Sequence, residues 1–497
     1  MLLIMNTTYQ HTLFLLFTLL FSTLAFAQED EEISFEPHVI FDKAMGARSV
    51  AVADIDGDED MDVLSASAVD NSIRWYENLR DVDGNVAFTD YIIFSSAMEA
   101  RSVAVADFDN DNDLDVVSAS ASDHTIRWYE NKGKKVNEMD EEVVVFDDHI
   151  IYSSATGATA VAVADVNKDG KMDVLSSSFS DNSIRWYENK GRQVGEDGVE
   201  RVVFDDHLIF GSATGARSVT TADINNDGYL DVLSVSYSLF GGSSTVRWYQ
   251  NDGMQNFSPH LINDDAGFPQ SVAIADIDGD NNIDVLSGTT DNSLRWYKNI
   301  ESVENDGTRT FTEDVIFKRD STLGSVTSVV AVDLDGDNDL DVLMSNSGDF
   351  VRWYENTEMD GSVEFIEHTV STNIIDASSS VAIADIDDDG DIDVVSAGYG
   401  DATIRWHESN ASTLNVAKVL PHTTALYPNP TSSEVYLNYA TATKTTYGLF
   451  DMAGKRLATY TQSGTAHQLD VSSVSKGTYI LKATSGLQVN YYRIVKE

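Results

Sequence analysis

Ser49-Val-Ala-Val-Ala-Asp-Ile-Asp-Gly-Asp-Glu-Asp-Met-Asp-Val-Leu-Ser-Ala-Ser67, followed by Ile73-Arg-Trp-Tyr-Glu-Asn78, is a unit that the chain repeats. An alternating apolar segment reads as a strand, and an aspartate loop interrupts it. A second short apolar run follows, then a turn at Asp70-Asn71-Ser72, then an aromatic strand. All seven tryptophans of the chain fall in that last strand: Trp75, Trp128, Trp186, Trp248, Trp296, Trp353 and Trp406. Each follows an arginine, from Arg74 to Arg405. The aspartate loops open at Asp54, Asp107, Asp165, Asp223, Asp276, Asp333 and Asp385, a period of about 55 residues. A further segment, Phe35-x-x-His38-x-Ile40, recurs around Phe88, Phe146, Phe204, Phe257, Phe311 and Phe365. Each unit thus has four short β-forming segments, and no amphipathic helical stretch of useful length lies between them. Seven such units predict an all-β fold, a seven-bladed β-propeller. The last unit lacks a Phe-x-x-His strand. The segment Phe35 to Phe41, at the start of the array, is expected to supply it and remove an open sheet edge.

The loops carry the chemistry. Oxygen ligands recur at positions 1, 3, 5 and 9. The first four sets are Asp54, Asp56, Asp58 and Asp62; Asp107, Asp109, Asp111 and Asp115; Asp165, Asn167, Asp169 and Asp173; Asp223, Asn225, Asp227 and Asp231. The remaining three are Asp276, Asp278, Asp280 and Asp284; Asp333, Asp335, Asp337 and Asp341; Asp385, Asp387, Asp389 and Asp393. Alternate residues of a tight loop can aim carboxylates at one centre, and a hard cation takes six to eight oxygens. The first half of each loop resembles an EF-hand loop, but the closing acid is Asp at position 9 and the flanks are strands. Solvated turns would explain one such loop. The seven loops together hold 31 aspartates, a density that needs counter-ions. Calcium is expected at up to seven sites, in preference to magnesium, which keeps water and strict octahedral geometry. Soft metals are disfavoured, because the chain has no cysteine and the loops hold no histidine.

Loops such as Asp165-Val-Asn-Lys-Asp-Gly-Lys-Met-Asp173, followed by Val-Leu-Ser and Ile-Arg-Trp-Tyr-Glu-Asn, resemble FG-GAP/VCBS-type propeller repeats over about residues 35–409. The resemblance implies calcium in the loops. It also implies a ring used for adhesion, for carbohydrate or protein binding, or as an accessory to an enzyme. Gly is absent from position 6 in four loops, where Glu59, Asn112, Asn281 and Asn338 stand.

The two ends differ from the array. Leu13 to Phe21 is an apolar run too short to span a bilayer, and Ala25-Phe26-Ala27 is a small-x-small cleavage signal. Residues 1–27 are therefore expected to be a signal peptide, although they contain no Lys or Arg. The propeller is expected over 28–409, a Ser/Thr/Asn-rich linker over 410–424, and a small β-sandwich over 425–497. This last segment resembles the type A sorting domain of the type IX secretion system. The matching pieces are Leu426-Tyr-Pro-Asn-Pro430, Leu449-Phe-Asp-Met-Ala-Gly-Lys455, Lys476-Gly-Thr-Tyr479 and Arg493-Ile-Val-Lys496. The resemblance implies a Bacteroidota protein, secreted or held at the cell surface, whose partner is the type IX machinery.

A net charge of −50 argues against a basic nucleic-acid-binding face. No run after the signal is long and apolar enough to span a membrane. Catalytic motifs are absent: there is no His-Glu-x-x-His, Gly-x-Ser-x-Gly or phosphate loop. Five histidines (His38, His149, His207, His260 and His368) share one repeat position and read as structural. No catalytic residue is assigned. The alternative reading is a polysaccharide-processing enzyme, of lyase or dehydratase type, or its accessory propeller. A binding module for a glycan or surface protein is preferred, with its ligand face where the units differ. Loops opposite the aspartates carry Phe179, Tyr237, Phe240 and Tyr399, with Arg48, Arg101, Arg217 and Phe268 on the connections between units.

Overall fold

The computed structural model describes residues 33–496, apart from 81–83, 137–141, 196–197, 239–243, 302–308, 319–323, 349, 360–361, 373–377, 411–433, 451–455, 473 and 486–487. The expected signal segment, and the expected linker beyond Asn410, lie outside the described residues. The chain divides into two compact units between Thr413 and Leu414. Every element among the described residues is a β-strand.

The first unit is built of seven four-stranded antiparallel sheets. In blade 1 the strands Ala47–Ala53, Asp62–Ser67, Ser72–Asn78 and Phe88–Phe94 pair in that order. Blades 2 to 6 repeat the pattern from first strands Ala100–Ala106, Ala158–Ala164, Ala216–Ala222, Pro269–Ala275 and Val326–Val332. Blade 7 takes Ser378–Ala384, Asp393–Gly398 and Ile404–Ser409 from the end of the array. Its fourth strand is Phe35–Phe41, in register from Phe35 opposite Ser409 to Phe41 opposite Ile404. First strands of neighbouring blades lie side by side around a closed ring, with blade 7 beside blade 1. The expected closure by the N-terminal strand is what the ring shows.

The Trp-Tyr doublet explains how blades adhere. Consecutive strand residues point to opposite faces, so each doublet serves two seams. Trp75 packs with Tyr129 between blades 1 and 2, and Trp128 with Tyr187 between blades 2 and 3. The pattern runs around to Trp406 with Tyr76, which joins blade 7 to blade 1. Burying each ring contributes roughly 2–3 kcal/mol. In blades 1 to 4 the tyrosine hydroxyl bonds a serine of the second strand, as in Ser65 Oγ to Tyr76 Oη at 2.9 Å and Ser118 Oγ to Tyr129 Oη at 3.0 Å. In blade 7 the tyrosine is replaced by His407, whose Nε2 lies 2.8 Å from Ser396 Oγ. The repeated histidines stack on the tryptophans. Ring centroids are 4.6 Å apart for His38 and Trp406 and 4.4 Å apart for His368 and Trp353. His38 and His368 also meet Glu408 and Glu355, each at 2.7 Å. These contacts make the repeated histidine a packing residue.

The described residues of the tail form one four-stranded sheet from Glu434–Phe450, Arg456–Asp470, Gly477–Ser485 and Gln488–Lys496. The first of these lies between the second and third. Tyr447, Leu449, Leu481 and Ile494 are in its core. The tail is all-β as expected, and the described residues show one sheet rather than the two of the expected sandwich.

Candidate metal centres

Each nine-residue aspartate loop joins the first strand of a blade to the second, so all seven share one face of the ring. Positions 4 and 6 of every loop adopt left-handed backbone, with φ between 57° and 98°. They are Gly57 and Glu59, Asn110 and Asn112, Lys168 and Gly170, Asn226 and Gly228, Gly279 and Asn281, Gly336 and Asn338, and Asp388 and Gly390. Gly, Asn and Asp tolerate this region best, which explains their alternation with the carboxylates. Position 4 was not singled out in the sequence. Its signal was the mixed Gly, Asn, Lys and Asp column, which spacing alone left undistinguished.

The carboxylates have separate structural duties. Position 1 organises the turn: Asp165 accepts the N–H groups of Asp169 at 3.0 Å and Gly170 at 2.9 Å. Position 5 continues it, with Asp169 accepting the Lys171 N–H at 3.0 Å. Position 9 is buried in every blade. Asp62 accepts the N–H of Ile55 at 3.0 Å and that of Asn78 at 2.8 Å, tying loop and third strand together. The same two bonds recur at Asp115, Asp173, Asp231, Asp284, Asp341 and Asp393. Burial pushes these carboxyls up, to about 7 at Asp62, Asp115, Asp231, Asp341 and Asp393 and to about 6 at Asp173 and Asp284.

Among the described residues, three carboxylates converge within 4.8 Å in five loops. The groups are Asp54, Asp56 and Asp58; Asp107, Asp109 and Asp115; Asp276, Asp278 and Asp284; Asp333, Asp335 and Asp341; Asp385, Asp387 and Asp393. Position 5 joins such a group in loop 1 and position 9 in the other four. In loops 3 and 4 position 3 is an amide, Asn167 or Asn225, which leaves fewer carboxylates to converge. Oδ1 of Asp56 and Oδ1 of Asp278 are buried without a hydrogen-bond donor. The other oxygen of each carboxylate faces an ammonium group, Lys134 at 3.0 Å from Asp56 and Lys298 beside Asp278. Arg192 pairs with Asp109 in the same way. Buried oxygens lacking donors, in an oxygen-only set, fit a hard cation. Asp54, Asp56 and Asp58 in loop 1, and the residues at positions 1, 3 and 9 in loops 2, 5, 6 and 7, are those that would hold it.

A second recurrent contact links each loop to the next blade. Asn78 Nδ2 donates to the Ile386 carbonyl at 2.9 Å, and Asn131 Nδ2 to the Ile55 carbonyl at 2.9 Å. Asn189, Asn251, Asn299 and Asn356 repeat it across the following seams. Blade 7 has Ser409 at this position.

On the opposite face the predicted aromatic residues are placed unequally. Tyr237 is 5% exposed, Phe179 is half-buried and Tyr399 is 36% exposed. Phe240 lies outside the described residues. The Arg217 guanidinium lies over the rings of Phe179 and Tyr237, at 4.4 and 4.7 Å from their centroids, and Arg48 lies over Tyr399 at 4.4 Å.

Comparison with known proteins matches the FG-GAP-like repeat at residues 62–118, 108–176, 169–234, 276–344 and 333–396, together more than half the chain. The secretion system C-terminal sorting domain matches residues 425–497. No curated protein matches. One similar solved structure is PorZ, an essential bacterial surface component of the type-IX secretion system of Porphyromonas gingivalis. It aligns at 12% identity with a TM-score of 0.42, covering 88% of this chain and 58% of that chain, so this chain spans less than two thirds of it. No helix among the described residues is long and apolar enough to cross a membrane. Seven blades with their recurrent aspartate loops, and a tail of the sorting type, lead to one assignment: the chain belongs to the FG-GAP-like repeat family and carries a type IX sorting domain, the mark of export to the cell surface or beyond.

Proposed function

We propose that this protein is an exported binding module, a propeller stabilised by calcium that presents a ligand face opposite its aspartate loops. The ligand is a glycan or a surface protein, and the type IX machinery engages the tail. One contrast carries this reading. Seven loops on one face repeat the same oxygen pattern, whereas side chains on the other face differ from blade to blade. Repeated features maintain a ring, and unrepeated ones suit recognition of one partner. Calcium is favoured over magnesium because the donors are numerous, flexible and all oxygen.

The test is a glycan array probed with the calcium-loaded protein, then with a variant carrying Phe179→Ala and Tyr399→Ala, leaving the buried Tyr237 in place. Binding by the wild type and its loss in the variant, with the calcium-dependent melt preserved, is the expected result. Unchanged binding in the variant would reject the proposed face. Consumption of any polysaccharide would move the assignment to an enzyme.

A further inference from the structure

The second residue of every first strand is a bulge, skipped in the ladder with the second strand. A bulge turns its side chain out of the regular pleat, so these seven residues line the innermost rim opposite the aspartate loops. In blades 3, 6 and 7 the residue is a hydroxyl that ties the ring. Thr159, Thr327 and Ser379 donate to the carbonyls of Ala216, Ser378 and Ala47 at 2.9, 2.7 and 2.6 Å. In blades 1, 2 and 4 it is Arg48, Arg101 or Arg217. These three sites exchange a seam contact for a positive charge, in a chain of net charge −50.

The three arginines share one nearby carboxylate, Glu99, which pairs with Arg101 and also acts on Arg48. Their Nε atoms are buried without a partner. Third-strand arginines such as Arg127 and Arg185 also bury Nε, yet each is ion-paired, to Asp148 and Asp206. Among the described residues no carboxylate lies within ion-pair range of Arg48 or Arg217; Arg101 is paired with Glu99. Burial, with the neighbouring Arg101 charge, pushes Arg48 below its ordinary value, and burial with Arg101 and Arg48 does the same to Arg217. The three charges therefore sense one another across the rim.

Two residues nearby accept unusual backbone to complete the arrangement. Glu99 and Phe268 have φ of 55° and 61°, where the equivalent residues of blades 1, 3 and 4 are Gly46, Gly157 and Gly215. Such a position costs a side chain on the order of 1 kcal/mol, and strain of this kind gathers at functional sites. Glu99 holds Arg101, and Phe268 packs edge-on against Tyr237 while remaining 44% exposed.

We propose that Arg48, Arg101 and Arg217 form an anion-binding site at the centre of this face, and that its ligand is an acidic polysaccharide. This deepens the binding-module reading and rests on it. Aromatic rings cover the faces of Arg48 and Arg217, their Nε atoms are buried and Arg217 Nη2 donates to Tyr237 Oη at 2.6 Å, so the remaining Nη N–H groups are what could meet a ligand. Those groups suit the paired oxygens of a carboxylate or sulfate. The exposed rings of Phe268 and Tyr399 beside them offer apolar surface to the body of a sugar. That combination favours an acidic sugar over an acidic peptide.

The experiment measures binding of the full-length protein, at physiological salt, to polygalacturonate, dextran sulfate, dextran and poly-L-glutamate. Binding to either acidic polysaccharide, with none to dextran, is expected; the preferred member tells carboxylate from sulfate. Arg48→Gln with Arg217→Gln should weaken binding by about tenfold or more, measured at a temperature where circular dichroism shows the variant still folded, because Arg217 also donates to the buried Tyr237 hydroxyl. Glu99→Gln removes the competing carboxylate and should tighten binding, a gain that misfolding does not produce. Unchanged affinity in the arginine variant overturns the proposal. So does equal binding of dextran, preference for poly-L-glutamate, or binding of none of the four. Neutral-glycan binding that needs the aromatic residues but not the arginines would leave the binding module standing and remove only the anion site.

Discussion

Glu59 occupies a left-handed position (φ 75°) that Gly170, Gly228 and Gly390 fill in other loops. It also adds a negative charge to the most crowded part of loop 1. Glu59→Gly removes both burdens at the cost of a more flexible unfolded chain. We expect it to raise stability by about 0.5–1 kcal/mol, more without calcium than with it. Denaturant melts in EDTA and in calcium measure this, and a loss in both would contradict the strain argument. His407 carries a second residue-scale prediction. It is fully buried, and burial, with Arg405 and His38, pushes its imidazole down to about 3. The unfolded chain takes up a proton near 6.5, and the native state does not. Stability present above that value is therefore lost as pH falls from about 6.5 toward about 3, at up to about 1.4 kcal/mol per pH unit. His407→Tyr, the residue of the other six blades, should remove this component. The difference between the two melt–pH profiles isolates it from all other groups, and parallel profiles would refute the assignment.

At the scale of strands and seams, blade 7 stands apart. It has a histidine where the other blades have tyrosine and Ser409 where they have asparagine, and both substitutions face blade 6. The other six seams each carry an asparagine amide donated to a loop carbonyl of the preceding blade. Asn131→Ala would leave the Ile55 and Leu114 carbonyls without that donor, at a cost of about 1–3 kcal/mol. Ser409→Asn should instead strengthen the seam between blades 6 and 7, slowing hydrogen exchange around Asp393 to Ser409. Because the fourth strand of blade 7 comes from Phe35–Phe41, this seam also lies next to the closure of the ring. Unchanged exchange around Asp393 to Ser409 in that variant would contradict the prediction.

For the whole molecule, calcium and protons should compete for the same buried carboxylates. The position-9 aspartates rise to about 6–7 in the folded chain without metal, against an ordinary value of 3.8. A raised folded value means that this stabilising component is present in full below about 3.8 and is lost as pH rises through about 7. In EDTA, lowering pH from neutral toward about 5 should raise the melting temperature through these seven groups, against the smaller opposing effect of His407. With millimolar calcium the melting temperature should be higher at neutral pH, and the gain on acidification should shrink or reverse. Identical melts with EDTA and calcium would remove calcium from the account, because a ligand of the native state alone must stabilise it.

The sequence by itself determined the number of blades, the four strands in each, the loop positions and the strand that closes the ring. These are legible because a repeat multiplies a weak local signal: one Asp-rich turn is ambiguous, but Asp56 is read together with its six counterparts. It also exposed the face opposite the loops, by showing that Phe179, Tyr237 and Tyr399 break the repeat. The tertiary structure decided what spacing cannot encode. Backbone handedness set loop positions 4 and 6, where Lys168 and Asp388 adopt the same φ region as Gly57. Burial turned position 9 into a strut between loop and third strand before any metal is considered. It also placed Tyr237 inside the protein, where its hydroxyl accepts from Arg217 at 2.6 Å and from Gln270 at 3.2 Å. The sequence put Arg48, Arg101 and Arg217 on connections at that face; the structure places them instead in the first strands, at the bulges. A sequence period records which residues are equivalent; which of them meet depends on the curvature of the ring and on the bulge that turns each side chain toward its centre.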